Sequence, residues 1–373
     1  MDLQGQNGLL STYREGYRAR GPLAFVIAAT LVGFYTVLYW EEKLSGMLGG
    51  HPLTALAEAL HLRNRWYLYG FLYCVAMTAG GVYYLRRHGN SRYNRARIAV
   101  NVGVQVVLGF TLPFVMPLFG QPEFYFSYFW PLKYDYLYPQ TLVQLPVYLS
   151  VYAVIGGLVA APVLAFFFGK RWYCSWVCGC GGLANTFGDP YRHLTSKSSA
   201  AWRFERWSIH SVLVLVIVTT ALVAADFFWG ASHPGLHRVV SGGPVSVKEL
   251  YGFVVGSILA GVIGTGLYPL LGPRSWCRNF CPMAALLGLI QKLGRYRITV
   301  KPDMCISCGN CSTYCEMGID VRAYAQRNES FTRASCVGCG MCAHMCPRGV
   351  LKLENTTAPR RVTKRGSLPI VSG

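Results

Sequence analysis

The chain of 373 residues carries a formal charge of +19, is 53% hydrophobic and only 14% charged, and has a mean hydropathy of +0.31. Soluble domains carry about a quarter charged residues, so the composition points to lipid rather than to a water-soluble globule. The Lys and Arg excess lies beside apolar segments and no nucleic-acid motif accompanies it, which excludes a nucleic-acid partner.

Six stretches are apolar enough to cross a bilayer, which takes about 20 residues per helix: 22–40, 66–85, 98–119, 146–168, 209–229 and 250–271. The first follows Arg14, Arg18 and Arg20 but is too long for a signal-peptide core, so it is read as a retained anchor. Charge fixes the expected orientation. One side of the spans collects those arginines, then Arg86, Arg87, Arg92, Arg95 and Arg97, then Lys170, Arg171, Arg192, Lys197, Arg203 and Arg206, then Arg274, Arg278, Lys292, Arg295 and Arg297. The other side holds only Lys43, Arg63, Arg65, Lys133, Arg238 and Lys248. The positive-inside rule then places both termini in the cytoplasm.

Aromatic residues mark the span ends, as at Tyr39, Trp40, Trp66, Tyr83, Trp172 and Trp229. The outer loop 124–138 is unusually aromatic, and two readings stand: it lines a quinone or partner site, or it lies flat in the membrane interface. Gly252, Gly256, Gly261, Gly264 and Gly266 make the sixth span a close-packing helix. The expected architecture is mostly α. Residues 1–271 form a six-span membrane domain with an internal two-helix repeat, and 272–300 a cytoplasmic connector. Residues 301–354 form a small α+β module, and 355–373 a basic tail.

Of the 14 cysteines, 8 fall between Cys305 and Cys346. A disulfide scaffold would need an oxidising compartment, which the charge pattern denies to this end of the chain. The runs read Cys305-x2-Cys308-x2-Cys311-x3-Cys315 and Cys336-x2-Cys339-x2-Cys342-x3-Cys346-Pro347. This is the spacing of a two-cluster bacterial ferredoxin, in which the fourth cysteine of each run ligates the other cluster. One [4Fe–4S] cluster is therefore expected on Cys305, Cys308, Cys311 and Cys346, and a second on Cys336, Cys339, Cys342 and Cys315. Gly309 and Gly340 let the backbone approach the inorganic sulfides. Paired zinc knuckles are the competing reading, but two identical four-cysteine runs in tandem favour iron. Glu316 stands where many ferredoxins have proline after the fourth cysteine, which leaves the ligand in place and bears on tuning.

A second motif occurs twice. Gly169-Lys-Arg171-Trp-Tyr173-Cys174-x3-Cys178-x4-Leu183 and Gly272-Pro-Arg274-Ser-Trp276-Cys277-x3-Cys281-x4-Leu286 share glycine, arginine, aromatic, cysteines and leucine at the same offsets. On a helix, a CxxxC pair sets both sulfurs on one face. Facing repeats would then gather Cys174, Cys178, Cys277 and Cys281 into a tetrathiolate for a third Fe–S cluster, a zinc ion or Cu(I). Cys180 adds a spare thiol beside the first pair, and Cys74 alone in the second span reads as packing.

These cysteine pairs with a C-terminal double ferredoxin resemble the membrane polyferredoxins of the NapH, NosR C-terminal and CcoG type. The resemblance runs from the third span to Glu354. The family norm is CxxxCP, which Cys281-Pro282 meets and Cys178-Gly179 does not, putting the first pair's geometry and metal in question. The resemblance implies a multi-pass protein of the bacterial inner membrane that exchanges electrons with the quinol pool or another redox subunit. It implies as the alternative a copper-reducing or copper-handling assembly factor.

The residues weigh these functions unequally. An electron-transfer subunit fits the cytoplasmic half, while no dinucleotide fingerprint, haem-attachment site or membrane histidine pair makes the chain a complete enzyme. Copper delivery has only His233 and His237 on the outer side, with Pro234 and Gly235 between them marking a loop. An ion pump would need ionisable residues inside the spans, whereas Asp226 and Glu249 stand at span ends.

Overall fold

The computed structural model describes residues 11–243 and 245–356, with side chains from Pro22 onward. Arg14, Arg18, Arg20 and the basic tail past Thr356 lie outside those described side chains. Among the described residues, six helices are long and apolar enough to cross a membrane: Pro22–Leu48, Arg65–His88, Arg92–Phe119, Val147–Phe168, Ser199–Trp229 and Pro234–Thr265. They overlap all six expected spans. Local chemistry sets several of their starts. Asn64 accepts from the Trp66 and Tyr67 amides, Ser91 from Asn94, and Ser198 from Ala201, each satisfying amides that the first helical turn leaves unpaired. The second helix ends on Arg86, Arg87 and His88, cations that suit the negative end of the helix dipole. Val151, Ile155, Leu158 and Val159 turn outward from the fourth helix, an apolar face suited to lipid.

Three of these helices widen into π-type turns, at Gln105–Thr111, Gly156–Ala160 and Gly252–Thr265. In the sixth span the expected close packing holds at Gly261, which lies against Tyr39, and at Gly264, against Trp276; Gly256 faces open space. The widening at Gly156 makes room for Phe129, whose ring occupies the place of a Cβ.

Phe129 belongs to the aromatic loop 124–138, several of whose rings are buried within the protein. The loop turns into the bundle. Phe124 is fully buried and stacks on Tyr136 with ring centroids 4.6 Å apart, and Tyr138 is buried as well. The Tyr173 hydroxyl, one residue before Cys174, donates to the Ser127 carbonyl at 3.0 Å. Protein side chains surround this irregular segment, the condition under which non-helical backbone is tolerated beside membrane spans.

Past the sixth span the helix Pro282–Leu293 leads into strand β1 (Tyr296–Val300), which pairs antiparallel with β2 (Leu351–Asn355) from Tyr296↔Asn355 to Val300↔Leu351. Strand β1 thus falls in the stretch 272–300 expected as connector. Between the strands lie the eight cysteines and the short helices Asn310–Thr313, Val321–Gln326 and Met341–His344. The module rests on the bundle end that bears the arginine-rich loops. Tyr93 donates to the Gly338 carbonyl at 2.7 Å, Ser175 to that of Val337 at 2.7 Å, and Tyr84 to the Met341 sulfur at 3.0 Å.

Candidate metal centres

The C-terminal cysteines fall into the two crossed sets that the spacing calls for. One cavity is lined by Cys305, Cys308, Cys311 and Cys346, another by Cys315, Cys336, Cys339 and Cys342. Each first-run or second-run loop turns at the glycine after its second cysteine, Gly309 at φ +80° and Gly340 at φ +82°, a left-handed backbone that a Cβ strains. The fourth cysteine of each run accepts an amide four residues on, Cys315 from Ile319 and Cys346 from Val350, both at 3.4 Å. Amide donation to a ligating sulfur is one of the levers a protein has on a cluster. Burial pushes the thiols up, Cys311 to about 12 and Cys339 to about 11, so they become thiolates only where a cation is bound against them.

The two sets differ in surroundings. The set ending on Cys346 faces outward: Cys305 and Cys308 are half-buried and Ile306 between them is 55% exposed. The set containing Cys315 faces the bundle, walled by Ile298, Ile319, Phe331 and Val337, and the Tyr296 hydroxyl lies 3.7 Å from the Cys336 sulfur.

Beneath that inner set stand the paired motifs. Cys174, Cys178, Cys277 and Cys281 are all buried within one apolar cluster, at most 4% exposed. They are near enough that Cys281 feels the charges of Cys277, Cys174 and Cys178. The expectation of a CxxxC pair riding one continuous helix is corrected. Cys174 ends the turn Arg171–Cys174 and Cys178 caps the next helix, Gly179–Asn185; Cys277 lies in Ser275–Asn279 and Cys281 caps Pro282–Leu293. Both capping cysteines are extended, Cys178 with ψ 135° and Cys281 with ψ 112°. Proline at 282 disfavours the α conformation of the residue before it, and Gly179 weakens the helix at the equivalent place. The break still closes alike in both copies, with the Cys178 amide on the Tyr173 carbonyl at 2.8 Å and the Cys281 amide on that of Trp276 at 3.0 Å. The repeated glycines share an uncommon backbone too, Gly169 at φ +71° and Gly272 at φ +93°.

Among the described residues no three His, Cys, Asp or Glu side chains converge closely enough for a lone metal ion. Burial again raises the thiols, Cys174 to about 11 and Cys277 to about 12. The fully buried Lys170 and Arg274 flank the four cysteines, and the Arg274 Nη1 lies 3.0 Å from the Cys174 carbonyl and 3.8 Å from the Cys277 sulfur. Cys180 lies against Cys178 and borders a cavity of about 560 Å³ inside the bundle. That cavity is walled by Tyr69, Tyr73, Gln105, Tyr125 and Tyr128 and reaches Glu123 and Lys133 on the other side of the spans.

Between the fifth and sixth spans His233 bonds the Trp229 carbonyl and His237 bonds Asp226 at 3.0 Å, so the two imidazoles serve separate partners. Cys74 is buried in the second span, as packing predicts.

Residues 304–351 match the family described as a 4Fe-4S dicluster domain, and residues 150–198 and 254–301 each match a 4Fe-4S binding domain. The second match covers both copies of the paired-cysteine motif. The chain is 27% identical over 181 residues to the "putative electron transport protein YccM" of Escherichia coli, covering 48% of this chain and 49% of the relative. The "methylamine utilization ferredoxin-type protein MauN" of Methylobacillus flagellatus is 25% identical over 169 residues, 44% of this chain and 54% of that one. The "ferredoxin-type protein NapH" of Escherichia coli is 26% identical over 173 residues, with 45% and 55% covered. The chain thus spans about half the length of the curated relatives it matches. No solved structure matches. The chain is mostly helical and multi-pass, carries 4Fe–4S clusters, and is similar to ferredoxin-type electron transport proteins.

Two contributors to the site show how little the spacing says about charge. Lys170 sits inside the repeat but looked like one more cytoplasmic charge, and Glu316 was legible as a departure without visible partners.

Proposed function

We propose that this chain is an electron-transfer subunit of a membrane redox complex, exchanging electrons between a quinone in the bundle and a cytoplasmic partner. The observation that carries the reading is the succession of three cysteine sets from the bundle outward. Cys174, Cys178, Cys277 and Cys281 sit at the bundle end, Cys315, Cys336, Cys339 and Cys342 lie over them, and Cys305, Cys308, Cys311 and Cys346 face outward. These sets are the ligands we assign to a third centre, an inner cluster and an outer cluster. Bound there, the clusters would supply one-electron storage.

The chain's own residues do the rest. Pro282 and Gly179 break the helices so that the capping cysteines turn inward, and the apolar wall of Ile298, Phe331 and Val337 keeps water from the inner set. The half-exposed edge at Ile306 is where a partner can approach. The 560 Å³ cavity suits a quinone head group: its tyrosine hydroxyls and Gln105 are hydrogen-bonding groups in an otherwise apolar lining, and it abuts Cys180, Trp276 and Pro282 beside the third set. The arginine-rich end and the module face the cytoplasm of a bacterial inner membrane, with the basic tail as a separate segment.

Iron and acid-labile sulfide analysis of anaerobically purified full-length protein tests the assignment. About twelve irons per chain are expected, four per cubane; copper in place of the third set's iron would favour the assembly-factor reading instead. Cys277→Ser with Cys281→Ser should abolish reduction by a short-chain quinol while both ferredoxin EPR signals remain on dithionite addition. Unchanged quinol turnover in that double variant would remove the third centre from the path.

A further inference from the structure

We infer that Glu316 and Arg274 form an electrostatic junction that sets the midpoint potentials of the inner ferredoxin cluster and of the paired-motif centre together. The inference rests on the proposed assignment of the three cysteine sets, and it begins from the residue that replaces the usual proline after Cys315.

Glu316 is fully buried, and its two carboxylate oxygens face different arginines: Arg192 at 2.5 Å on one and Arg274 at 2.9 Å on the other. Arg274 is also fully buried. Its guanidinium reaches the other way to the Cys174 carbonyl and the Cys277 sulfur, and its charge acts on Cys339 as well. One side chain therefore touches ligands of the paired-motif centre while paired to the neighbour of an inner-cluster ligand. Behind them Asn185 accepts from Arg274 at 2.9 Å and from buried Arg97 at 2.5 Å, and Arg192 holds Asp189 at 2.6 Å.

The charges of this zone do not balance by themselves. Arg97, Lys170, Arg192 and Arg274 are buried cations, and Asp189 and Glu316 are the buried carboxylates among them. An uncompensated buried charge is strongly unfavourable, so the surplus of positive charge calls for anions between these residues. Thiolate-ligated clusters on either side meet that need. Adding an electron to such a cluster adds negative charge. Arg274 then favours the reduced form and Glu316 opposes it, on both clusters, because inside the protein a charge a few ångströms away is only weakly screened.

Redox potentiometry followed by EPR on the anaerobically purified full chain tests this. Glu316→Gln is expected to raise the midpoint potentials of the inner cluster and of the paired-motif centre, with a much smaller change at the outer cluster on Cys305, Cys308, Cys311 and Cys346. Arg274→Gln is expected to lower both, and Arg274→Lys to leave both close to the parent. Should Glu316→Gln fail to retain iron, the two Arg274 variants carry the same decision. A shift confined to one centre, an equal shift at all three, or no shift with iron content intact would overturn the junction. A parent protein lacking the third EPR signal would instead sink the functional assignment, so the two failures are told apart.

Discussion

At the scale of single residues, Gly309 and Gly340 hold equivalent places in the two cysteine runs, yet they are not equally replaceable. Both adopt the left-handed backbone, which costs an ordinary residue about 1–2 kcal/mol. At Gly309 a Cβ meets nothing nearer than Arg322 at 3.9 Å, whereas at Gly340 it would sit 2.8 Å from the Tyr93 ring. Gly309→Ala should therefore keep its cluster with a modest loss of thermal stability. Gly340→Ala should lose more stability and shed iron from the inner set, as measured by iron content and by the inner cluster's EPR signal. Equal behaviour of the two variants would contradict the contact with Tyr93. Glycine after the second cysteine could be read from the chain because ligand geometry is local. The contact with Tyr93 could not, since it joins residues far apart in sequence. The same holds for Glu316: its oddity was visible beside Cys315, but its partners Arg192 and Arg274 lie in separate elements that only folding brings together.

At the scale of elements, the paired motifs are helix–break–helix units and the aromatic loop is a plug. The spans were legible because hydropathy over about 20 residues is a strong signal. The breaks were less so: Pro282 announces one, but Gly179 is a weaker marker, and CxxxC spacing alone suits a continuous helix. The loop was ambiguous because tyrosine and phenylalanine are at home both in a membrane interface and in a core. Its insertion makes a testable claim. Gly156→Val would drive a side chain into the Phe129 ring and should destabilise the bundle by about 1–3 kcal/mol, the usual cost of overpacking. Thermal unfolding in detergent would read this, and iron should be lost from the paired-motif set before the ferredoxin sets, because the plug reaches Tyr173 through Ser127. In the cavity, Ala260→Phe should fill space on the wall and slow quinol-driven reduction at least tenfold, while dithionite still reduces every cluster. Unaltered quinol kinetics would exclude this cavity as the quinone site.

At the scale of the whole molecule, charge asymmetry and packing agree on one polar axis. The module stands on the arginine-rich end, held by Tyr93, Ser175 and Tyr84, and the cavity lining reaches Glu123 and Lys133 toward the other end. Trypsin added to inside-out membrane vesicles should cleave the lysine- and arginine-rich tail, and trypsin added to right-side-out vesicles should leave it intact; the reverse pattern would invert the orientation. The sheet has a consequence for biogenesis. Strand β1 leaves the helix that begins at Cys281, and its only strand partner among the described residues, β2, comes after the last cysteine. The ribosome must therefore deliver residue 355 before the ferredoxin sheet can shut, after all six apolar helices have already been made. A nascent chain stalled short of Leu351 would leave its eight thiols open to scavenging oxidants, and the cell's cluster-delivery machinery would meet this protein already threaded into the lipid.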